Sequence, residues 1–161
     1  MRHTIAILLQ NETGALSRVA SMFSTRGYNI ESLSVAPTQD PMVSRLTLVT
    51  EGEDTVIEQI AKQLYKLIDV IEVLDITLLD HVERELMMIK CRFKERKKDA
   101  LLAFIDEEEA KIISEEDGFI ILELMSDYDC NNRFLKTLEK MVSIIAVARS
   151  GPLALAKGKP S

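Results

Sequence analysis

The stretch HTIAILLQNETGALSRVASMFSTRG, residues 3–27, predicts a strand, a turn and a helix in succession. Its first part, His3 to Gln10, is apolar on both alternating faces, which is typical of a strand in the middle of a sheet. From Gly14 to Arg26 the apolar residues fall at helical spacing, and Gly27 stands where a left-handed residue commonly ends a helix. The turn between strand and helix is therefore expected at residues 11–14.

The residues after this unit predict a βαββαβ order. Tyr28 to Ala36 and Val43 to Thr50 have the composition of two strands, and the proline-containing segment between them predicts a hairpin turn. Residues 56–67 carry apolar side chains at helical spacing, and Val70 to Leu79 follows as a closing strand. The first half of the chain is thus expected to form one compact α+β unit.

The second half repeats this order more faintly. Because strands in this order pair antiparallel with both helices on one face, the predicted fold is α+β, with two ferredoxin-like βαββαβ units spanning residues 1–80 and 81–161. One face of each sheet is then expected to be bare. The elements predicted for the second unit are strands at 85–93, 111–114, 119–125 and 143–148, and helices near 97–105 and 132–141.

Composition excludes several classes of protein. The net charge is -6, which argues against a nucleic-acid partner, and the 5% aromatic content without tryptophan argues against an RNA-binding sheet face. The apolar N-terminal run is too short for a signal peptide or a membrane span, and two distant cysteines suit reduced thiols, so a cytoplasmic protein is expected. Because units of about 80 residues bury a modest share of their surface, an oligomer is expected as well.

No catalytic or metal-binding constellation stands out. Asp127, Asp129 and Asn131 have the opening spacing of a calcium loop, but Leu138 occupies the position where a bidentate Glu is required. No nucleophile and base can be paired, so neither catalysis nor a metal site is predicted for this chain. The methionines expected to fill the core of the second unit are Met87, Met88 and Met125.

The turn after the first strand has the chemistry of an amino-acid site. Gly14 allows close approach to the backbone, and the N–H groups of Gly14, Ala15 and Leu16 would lie at a helix N-terminus that favours a carboxylate. Asn11 could offer its amide oxygen to an ammonium group. The alternative is that Asn11 and Thr13 simply form a turn and a helix cap, which is a commoner arrangement.

A second segment, residues 26–32, opens the next predicted strand. Gly27 permits a tight turn there, Asn29 presents an amide, and Ile30 could supply an apolar wall together with Leu9. The alternative interpretation is a helix stop followed by an edge strand.

Residues 11–19, 26–33 and 35–38 together closely resemble the ACT domain of acetolactate synthase small subunits. The resemblance covers roughly the first 80 residues, and His81–Glu85 and Ala148–Gly151 also resemble segments of that family. The family resemblance implies an N-terminal ACT domain for effector binding and dimerisation, followed by a C-terminal ACT-like domain.

The resemblance also implies a function. A chain of this family is expected to be a noncatalytic regulatory subunit that activates the acetolactate synthase (acetohydroxyacid synthase) catalytic subunit and makes it sensitive to a branched-chain amino acid, with valine expected first. It implies a homodimer, no cofactor in this chain, and thiamine diphosphate, Mg and FAD in the catalytic partner. The effector-binding residues that it implies are Asn11, Gly14, Ala15 and Leu16 of one chain and Asn29 and Ile30 of the facing chain.

Two charged runs depart from the family pattern, at residues 94–98 and 107–109. Such runs are usually solvated helix faces, and that is the interpretation favoured here. Two alternatives to the regulatory subunit stay open: a free-standing ACT-type amino-acid sensor that regulates another enzyme or a transcriptional regulator, and an enzyme, which an assay of the isolated chain would reveal.

Overall fold

The computed structural model describes residues 1–159, which form two compact units. The first unit contains Met1–Val82 together with residues 151–159, and the second contains Glu83–Ser150. The sequence-based division placed residues 151–159 in the second domain, whereas the structure groups them with the first unit. No helix within residues 1–159 is both long enough and apolar enough to cross a membrane.

The chain runs through nine strands and four α-helices in its described part, and both units show the predicted βαββαβ order. The elements of the first unit are β1 (Arg2–Gln10), α1 (Ala15–Thr25), β2 (Ser32–Pro37), β3 (Val43–Glu51), α2 (Asp54–Tyr65) and β4 (Val70–Asp75). Those that follow are β5 (His81–Arg92), α3 (Lys98–Glu107), β6 (Lys111–Glu116), β7 (Phe119–Ser126), α4 (Tyr128–Glu139), β8 (Ser143–Arg149) and β9 (Leu153–Ala156).

The first unit has an antiparallel sheet in the order β2-β3-β1-β4, with β1 in the middle as its apolar sequence predicted. Alternate residues of β1 point to the two helices, and each fully buried aliphatic side chain stabilises the fold by about 1.5–3 kcal/mol. The buried side chains of this core include Ile5, Ile7, Leu9, Val19, Phe23, Leu46, Leu48, Ile57, Ile60 and Leu64.

Two strands of the first unit are shorter than the sequence indicated. Strand β2 begins at Ser32 and not at Tyr28, because the Tyr28 N–H donates to the Phe23 carbonyl (2.9 Å) and so still belongs to the end of α1. Strand β4 ends at Asp75, where a 3-10 turn replaces the predicted strand. That turn is held by the Thr77 hydroxyl, which accepts a hydrogen bond from the Thr4 N–H at 2.7 Å.

Strand β9, which the sequence analysis did not predict, packs on the first unit. Ala154 is 4% exposed and forms a small apolar cluster with Ala6 and Ile76. The Arg45 guanidinium donates to the Ala154 carbonyl at 3.0 Å, and the Lys157 N–H donates to the Asp80 carbonyl at 2.9 Å. The sheet face that was expected to be bare is therefore partly covered by the C-terminal segment of the same chain.

The second unit has the equivalent strand order, β6-β7-β5-β8, and its own buried core. The predicted turn between β6 and β7 is formed by Asp117 and Gly118, both with positive φ (54° and 83°), which suits a two-residue hairpin. The expectation for the methionines was right only for Met87, which is fully buried. Met88 and Met125 are 43% and 62% exposed, because in this strand register they lie on the face opposite the helices.

A buried polar cluster ties the ends of the second unit together. The Glu85 carboxylate accepts hydrogen bonds from Arg149 Nε (2.9 Å) and Nη2 (2.6 Å), and the Asn131 amide donates to the Glu85 carbonyl at 3.1 Å. The cluster joins β5, β8 and α4, and two of its three members, Glu85 and Asn131, are buried.

Candidate functional site

The turn between β1 and α1 has an exposed backbone at the helix N-terminus. Gly14 has φ 86°, a left-handed conformation that glycine adopts without steric cost, and no side chain caps α1. The Ala15 N–H donates to the Glu12 carbonyl at 3.2 Å, whereas the N–H groups of Gly14 and Leu16 have no acceptor within residues 1–159. Two backbone donors thus remain at the positive end of the helix dipole.

Asn11 is fixed by hydrogen bonds to the loop between β2 and β3. Its N–H donates to the Met42 carbonyl at 2.7 Å, and its side-chain NH2 donates to the Pro41 carbonyl at 2.9 Å. The amide oxygen of Asn11 receives no hydrogen bond from the described residues, so this acceptor can serve a bound donor.

A cavity of about 230 Å³ lies against this turn. The turn and α1 contribute Asn11, Ala15 and Leu16, and the hairpin of β2 and β3 contributes Val35 and the surrounding apolar wall. A small, mainly apolar cavity with a few polar groups at one end is typical of a site for a small amphiphilic ligand. The remaining lining residues are Leu9, Gln10, Glu12, Ala36, Pro37 and Ser44.

An ion pair supports the turn. Arg18 Nε donates to Asp69 Oδ2 at 2.5 Å, and Arg18 Nη2 donates to the Thr13 carbonyl at 3.3 Å. The Asp69 carbonyl in turn accepts from the Gln10 N–H at 2.8 Å. The hydrogen bond from Arg18 holds the pKa of the Asp69 carboxyl below its usual range, despite the burial of that side chain. Arg18 and Asp69 therefore fix both ends of the segment from Gln10 to Gly14.

Gly14 lies beside the Arg18 guanidinium of this ion pair. A Cβ at position 14 would lie 2.9 Å from Arg18 Nη1, closer than real Cβ contacts allow. The position favours glycine mainly for its left-handed backbone, because the Arg18 guanidinium is the end of a flexible side chain and can shift away from a Cβ.

The predicted site residues divide into two groups. Asn11, Ala15 and Leu16 line the cavity, and Gly14 forms the adjoining turn. Asn29 and Ile30 do not line it in this chain: the Asn29 carbonyl accepts from the Thr50 hydroxyl at 2.6 Å, and Ile30 packs against the core. Their assignment to the facing chain of a dimer stays a prediction.

The sequence did not predict that the β2–β3 hairpin lines the cavity, nor that an ion pair supports the turn. Val35, Ala36 and Pro37 reach the cavity because β2 pairs with β3 beside the turn, a neighbourhood that sequence spacing does not reveal. Arg18 and Asp69 are 51 positions apart. A contact between Arg18 and the turn could have been predicted, because Arg18 follows Gly14 by four residues, which is one helical turn.

Other reactive groups lie away from this cavity. His3 is buried at the opposite end of β1, where its Nδ1 lies 2.8 Å from Asp75 Oδ2. Burial raises the pKa of the Cys91 thiol to about 11, so this side chain is a neutral core residue near pH 7. Within residues 1–159 there is no group of three His, Cys, Asp or Glu side chains placed to hold a metal ion.

Comparison with known proteins gives a consistent result over the whole chain. A family model described as "AHAS small subunit-like ACT domain" matches residues 5–72, and one described as "Small subunit of acetolactate synthase" matches residues 84–158. The acetolactate synthase isozyme 3 small subunits of Salmonella typhimurium and Escherichia coli are each 42% identical over 158 residues, covering 98% of this chain and 97% of theirs. The crystal structure of the acetolactate synthase small subunit from Thermotoga maritima has a TM-score of 0.85 and 32% identity, with 99% of both chains covered.

Two ferredoxin-like units, the first with a small-ligand cavity beside a glycine turn, define an ACT-domain protein of the regulatory class. The chain belongs to the acetolactate synthase small subunit family. The small subunit is the noncatalytic partner of a larger catalytic subunit, and the predicted family and α+β fold are thereby confirmed.

Proposed function

We propose that this chain binds a branched-chain amino acid, with valine as the first candidate, in the cavity beside the β1–α1 turn, and thereby regulates an acetolactate synthase catalytic subunit. The observation that carries the proposal is a cavity of about 230 Å³ lined by Asn11, whose amide oxygen is free, by Leu16, whose backbone N–H is free, and by an apolar wall, with the Gly14 turn beside it. These groups match the ammonium, the carboxylate and the aliphatic side chain of a free amino acid.

The polar contacts set the orientation of the ligand. The carboxylate accepts hydrogen bonds from the N–H groups of Gly14 and Leu16, where the helix dipole also favours negative charge. The ammonium group donates to the Asn11 amide oxygen, because the hydrogen bond from Asn11 to Pro41 uses the amide nitrogen and leaves this acceptor free. A hydrogen bond to a charged group contributes about 1.5–3 kcal/mol, so these contacts can select a free amino acid over a purely apolar ligand.

The edge of the sheet supports the proposed homodimer. Strand β2 ends the first sheet, and its Leu33 and Val35 side chains are 37% and 40% exposed. An exposed apolar edge strand is a natural place for a second copy to pair. Asn29 and Ile30 of that copy would then complete the cavity from the other side. The N-terminal domain thus carries effector binding and dimerisation, and the second domain completes the small subunit.

Regulation acts through the catalytic partner. Effector binding shifts the population of a conformation that activates that partner, and the coupling is reciprocal, so the partner changes effector affinity by the same factor. Thiamine diphosphate, Mg and FAD belong to the catalytic subunit in this proposal, and this chain contributes no cofactor.

The test is a reconstitution with the purified acetolactate synthase catalytic subunit. Pyruvate turnover is measured with the catalytic subunit alone, with this chain added, and with this chain plus valine. We expect the rate to rise on addition of the chain and to fall again with valine. Turnover of pyruvate by this chain alone would contradict the proposal. Binding of valine without any effect on the reconstituted enzyme would instead favour a free-standing sensor.

A further inference from the structure

The second unit contains a basic pocket that the proposed function does not use. The pocket measures about 190 Å³ and is lined by four cationic side chains and a short segment after α4. Arg92 ends β5, Lys94 and Lys97 lie in the connection to α3, and Lys140 is the C-terminal cap residue of α4. The fold therefore brings together cations that are up to 48 positions apart, from residue 92 to residue 140. The other lining residues are Met141, Val142 and Ser143.

Within residues 1–159, none of the four cations forms an ion pair with a carboxylate. The ion pairs that the second unit forms within residues 1–159 use other basic residues, Lys98 with Glu115 (3.5 Å) and Arg149 with Glu85 (2.6 Å). Arg92 lies 5.8 Å from the centre of the Phe119 ring, a contact that leaves its positive charge uncompensated. The chain as a whole has a net charge of -6, whereas this pocket is lined by four cations without an ion-pair partner and is therefore locally positive.

The adjoining helix terminus adds positive potential. Helix α3 has ten residues and begins directly after Lys97, which serves as its N-terminal cap residue without a side-chain cap hydrogen bond. Helix N-termini favour acidic neighbours, because the free N–H groups carry partial positive charge. Here Lys94 and Lys97 raise that potential further. Asp99 in the first turn of α3 and the neighbouring Glu95 offset part of it, but neither residue lines the pocket.

We infer that this pocket binds a phosphoryl group, either as a free phosphate or as the phosphate part of a small metabolite. Arg and Lys side chains are the groups that proteins use to bind phosphate oxygens. The pocket volume of about 190 Å³ is several times the roughly 30 Å³ that one water molecule occupies in the liquid. The pocket is therefore large enough for a phosphoryl group. The Ser143 hydroxyl is an additional donor on the same wall.

The experiment uses the full chain and pyrophosphate as the probe. Isothermal titration and thermal melts are run with pyrophosphate, inorganic phosphate and a nucleoside diphosphate, and sodium chloride at equal ionic strength serves as the blank. We expect saturable pyrophosphate binding that weakens as salt rises, because exposed charges are screened. Tighter binding of the nucleoside diphosphate than of pyrophosphate would identify a phosphate-bearing metabolite, and weaker binding would identify free phosphate or pyrophosphate as the ligand.

A double variant and a matched control decide whether the pocket is responsible. Lys97→Gln with Lys140→Gln removes two pocket charges, and we expect pyrophosphate affinity to fall by about tenfold or more, since two charge-assisted hydrogen bonds are lost. Arg96→Gln with Lys136→Gln removes two exposed charges that do not line the pocket, and should leave the affinity within about twofold. Absence of saturable binding to the unmodified chain, or an equal loss in both variants, would overturn the proposal. Valine binding by the first unit serves as an independent check that each variant is folded.

Discussion

The two units have one topology but differ at the connection between their first strand and first helix. In the first unit that connection is a glycine turn with free backbone donors and a free amide oxygen, and in the second it is a cationic segment around Lys94 and Lys97. Both sheets have the same strand order, and both central strands shift register against the last strand, at Leu8/Leu9 and at Lys90/Cys91. The shared fold therefore does not by itself determine a ligand, and the two proposed sites differ in the groups that this connection supplies.

The units also use their carboxylate–arginine pairs differently. In the first unit, Asp69 is 5% exposed and Arg18 is 45% exposed, so the pair supports the β1–α1 turn from a partly exposed position. In the second unit, Glu85 is 4% exposed and Arg149 is 27% exposed, and the pair joins strand ends to α4. We expect the first pair to matter mainly for the position of the site, and the second mainly for stability.

The largest effect is expected from breaking the pair of the second unit. Glu85→Gln removes the negative charge that accepts two hydrogen bonds from the partly exposed Arg149. Because one hydrogen bond to a charged group contributes about 1.5–3 kcal/mol, we expect the free energy of unfolding to fall by about 3 kcal/mol. Hydrogen exchange should therefore accelerate in β5, β7 and β8. Valine affinity of the first unit should stay unchanged at a temperature where the protein is folded.

The control for this variant is Glu139→Gln, which changes an exposed residue at the end of α4. It should change the free energy of unfolding by less than about 0.5 kcal/mol. If both variants unfold at the same denaturant concentration, the buried cluster does not carry the stability assigned to it.

The sequence predicted the units well where the information was local. The two-residue turn at Asp117 and Gly118 was recognisable from its residues, and so was the helix stop at Gly27. Strand β9 was missed because a four-residue Leu-Ala-Leu-Ala segment becomes a strand through long-range contacts. It pairs with β5, and its contacts with Arg45 and Ala6 span more than 100 positions. No local pattern encodes such contacts.

The candidate site was predicted where its chemistry is local in the sequence and missed where it depends on long-range contacts. Asn11 and Gly14 have chemistry that can be read from the turn itself, and the structure places both at the cavity or beside it. Val35 and Asp69 belong to the site through strand pairing and through an ion pair over 51 positions, neither of which has a signature in sequence.

The next largest effect is expected at the glycine turn. In Gly14→Asp, the new carboxylate would meet Arg18 Nη1, compete with Asp69 for the guanidinium and repel the carboxylate of the ligand. We expect valine affinity to fall about a hundredfold, equivalent to about 2.7 kcal/mol. Activation of the catalytic subunit should persist while inhibition by valine disappears, which an activity assay with and without valine measures.

Gly118→Asp is the matched control, because Gly118 has nearly the same φ (83°) but no atom within 4 Å of its added Cβ. It imposes a similar backbone cost, about 1 kcal/mol, in the second unit. An equal loss of valine sensitivity in both variants would show that destabilisation, and not the Gly14 turn, causes the effect.

A smaller effect is expected where β9 covers the first sheet. Ala154→Asp places a charge against Ala6 and Ile76, and we expect the free energy of unfolding to fall by about 2 kcal/mol, the scale of one unpaired buried polar group. Leu155→Asp changes the neighbouring residue, which is 64% exposed, and should cost less than about 0.5 kcal/mol. Thermal melts of the two variants test this, and equal melting temperatures would mean that β9 adds no stability to the first unit.

The smallest effect, and the sharpest comparison of the units, is the response to acid. The pKa of Asp69 is lowered by the hydrogen bond from Arg18, and the pKa of Asp127 is lowered mainly by the backbone N–H of Cys130, which it caps at the start of α4. For a carboxyl whose folded pKa lies below its ordinary value of 3.8, the stabilisation is complete above that value and is lost as pH falls through the folded pKa. Both units should therefore lose stability below about pH 4.

Two substitutions separate these contributions. Asp69→Asn removes the titration and the ion pair, so hydrogen exchange in the first unit should be faster at pH 7 and should respond less to acid. Asp127→Asn keeps a good helix cap, so the second unit should be nearly unchanged at pH 7 but should also respond less to acid. Because Arg18 is half-exposed, 1 M salt with its Debye length of about 3 Å should weaken only the Asp69 contribution. If the acid response of the first unit is unchanged in Asp69→Asn, Arg18 does not stabilise the ionised carboxylate. The β1–α1 turn would then have to be supported by Gly14 and Gln10 alone.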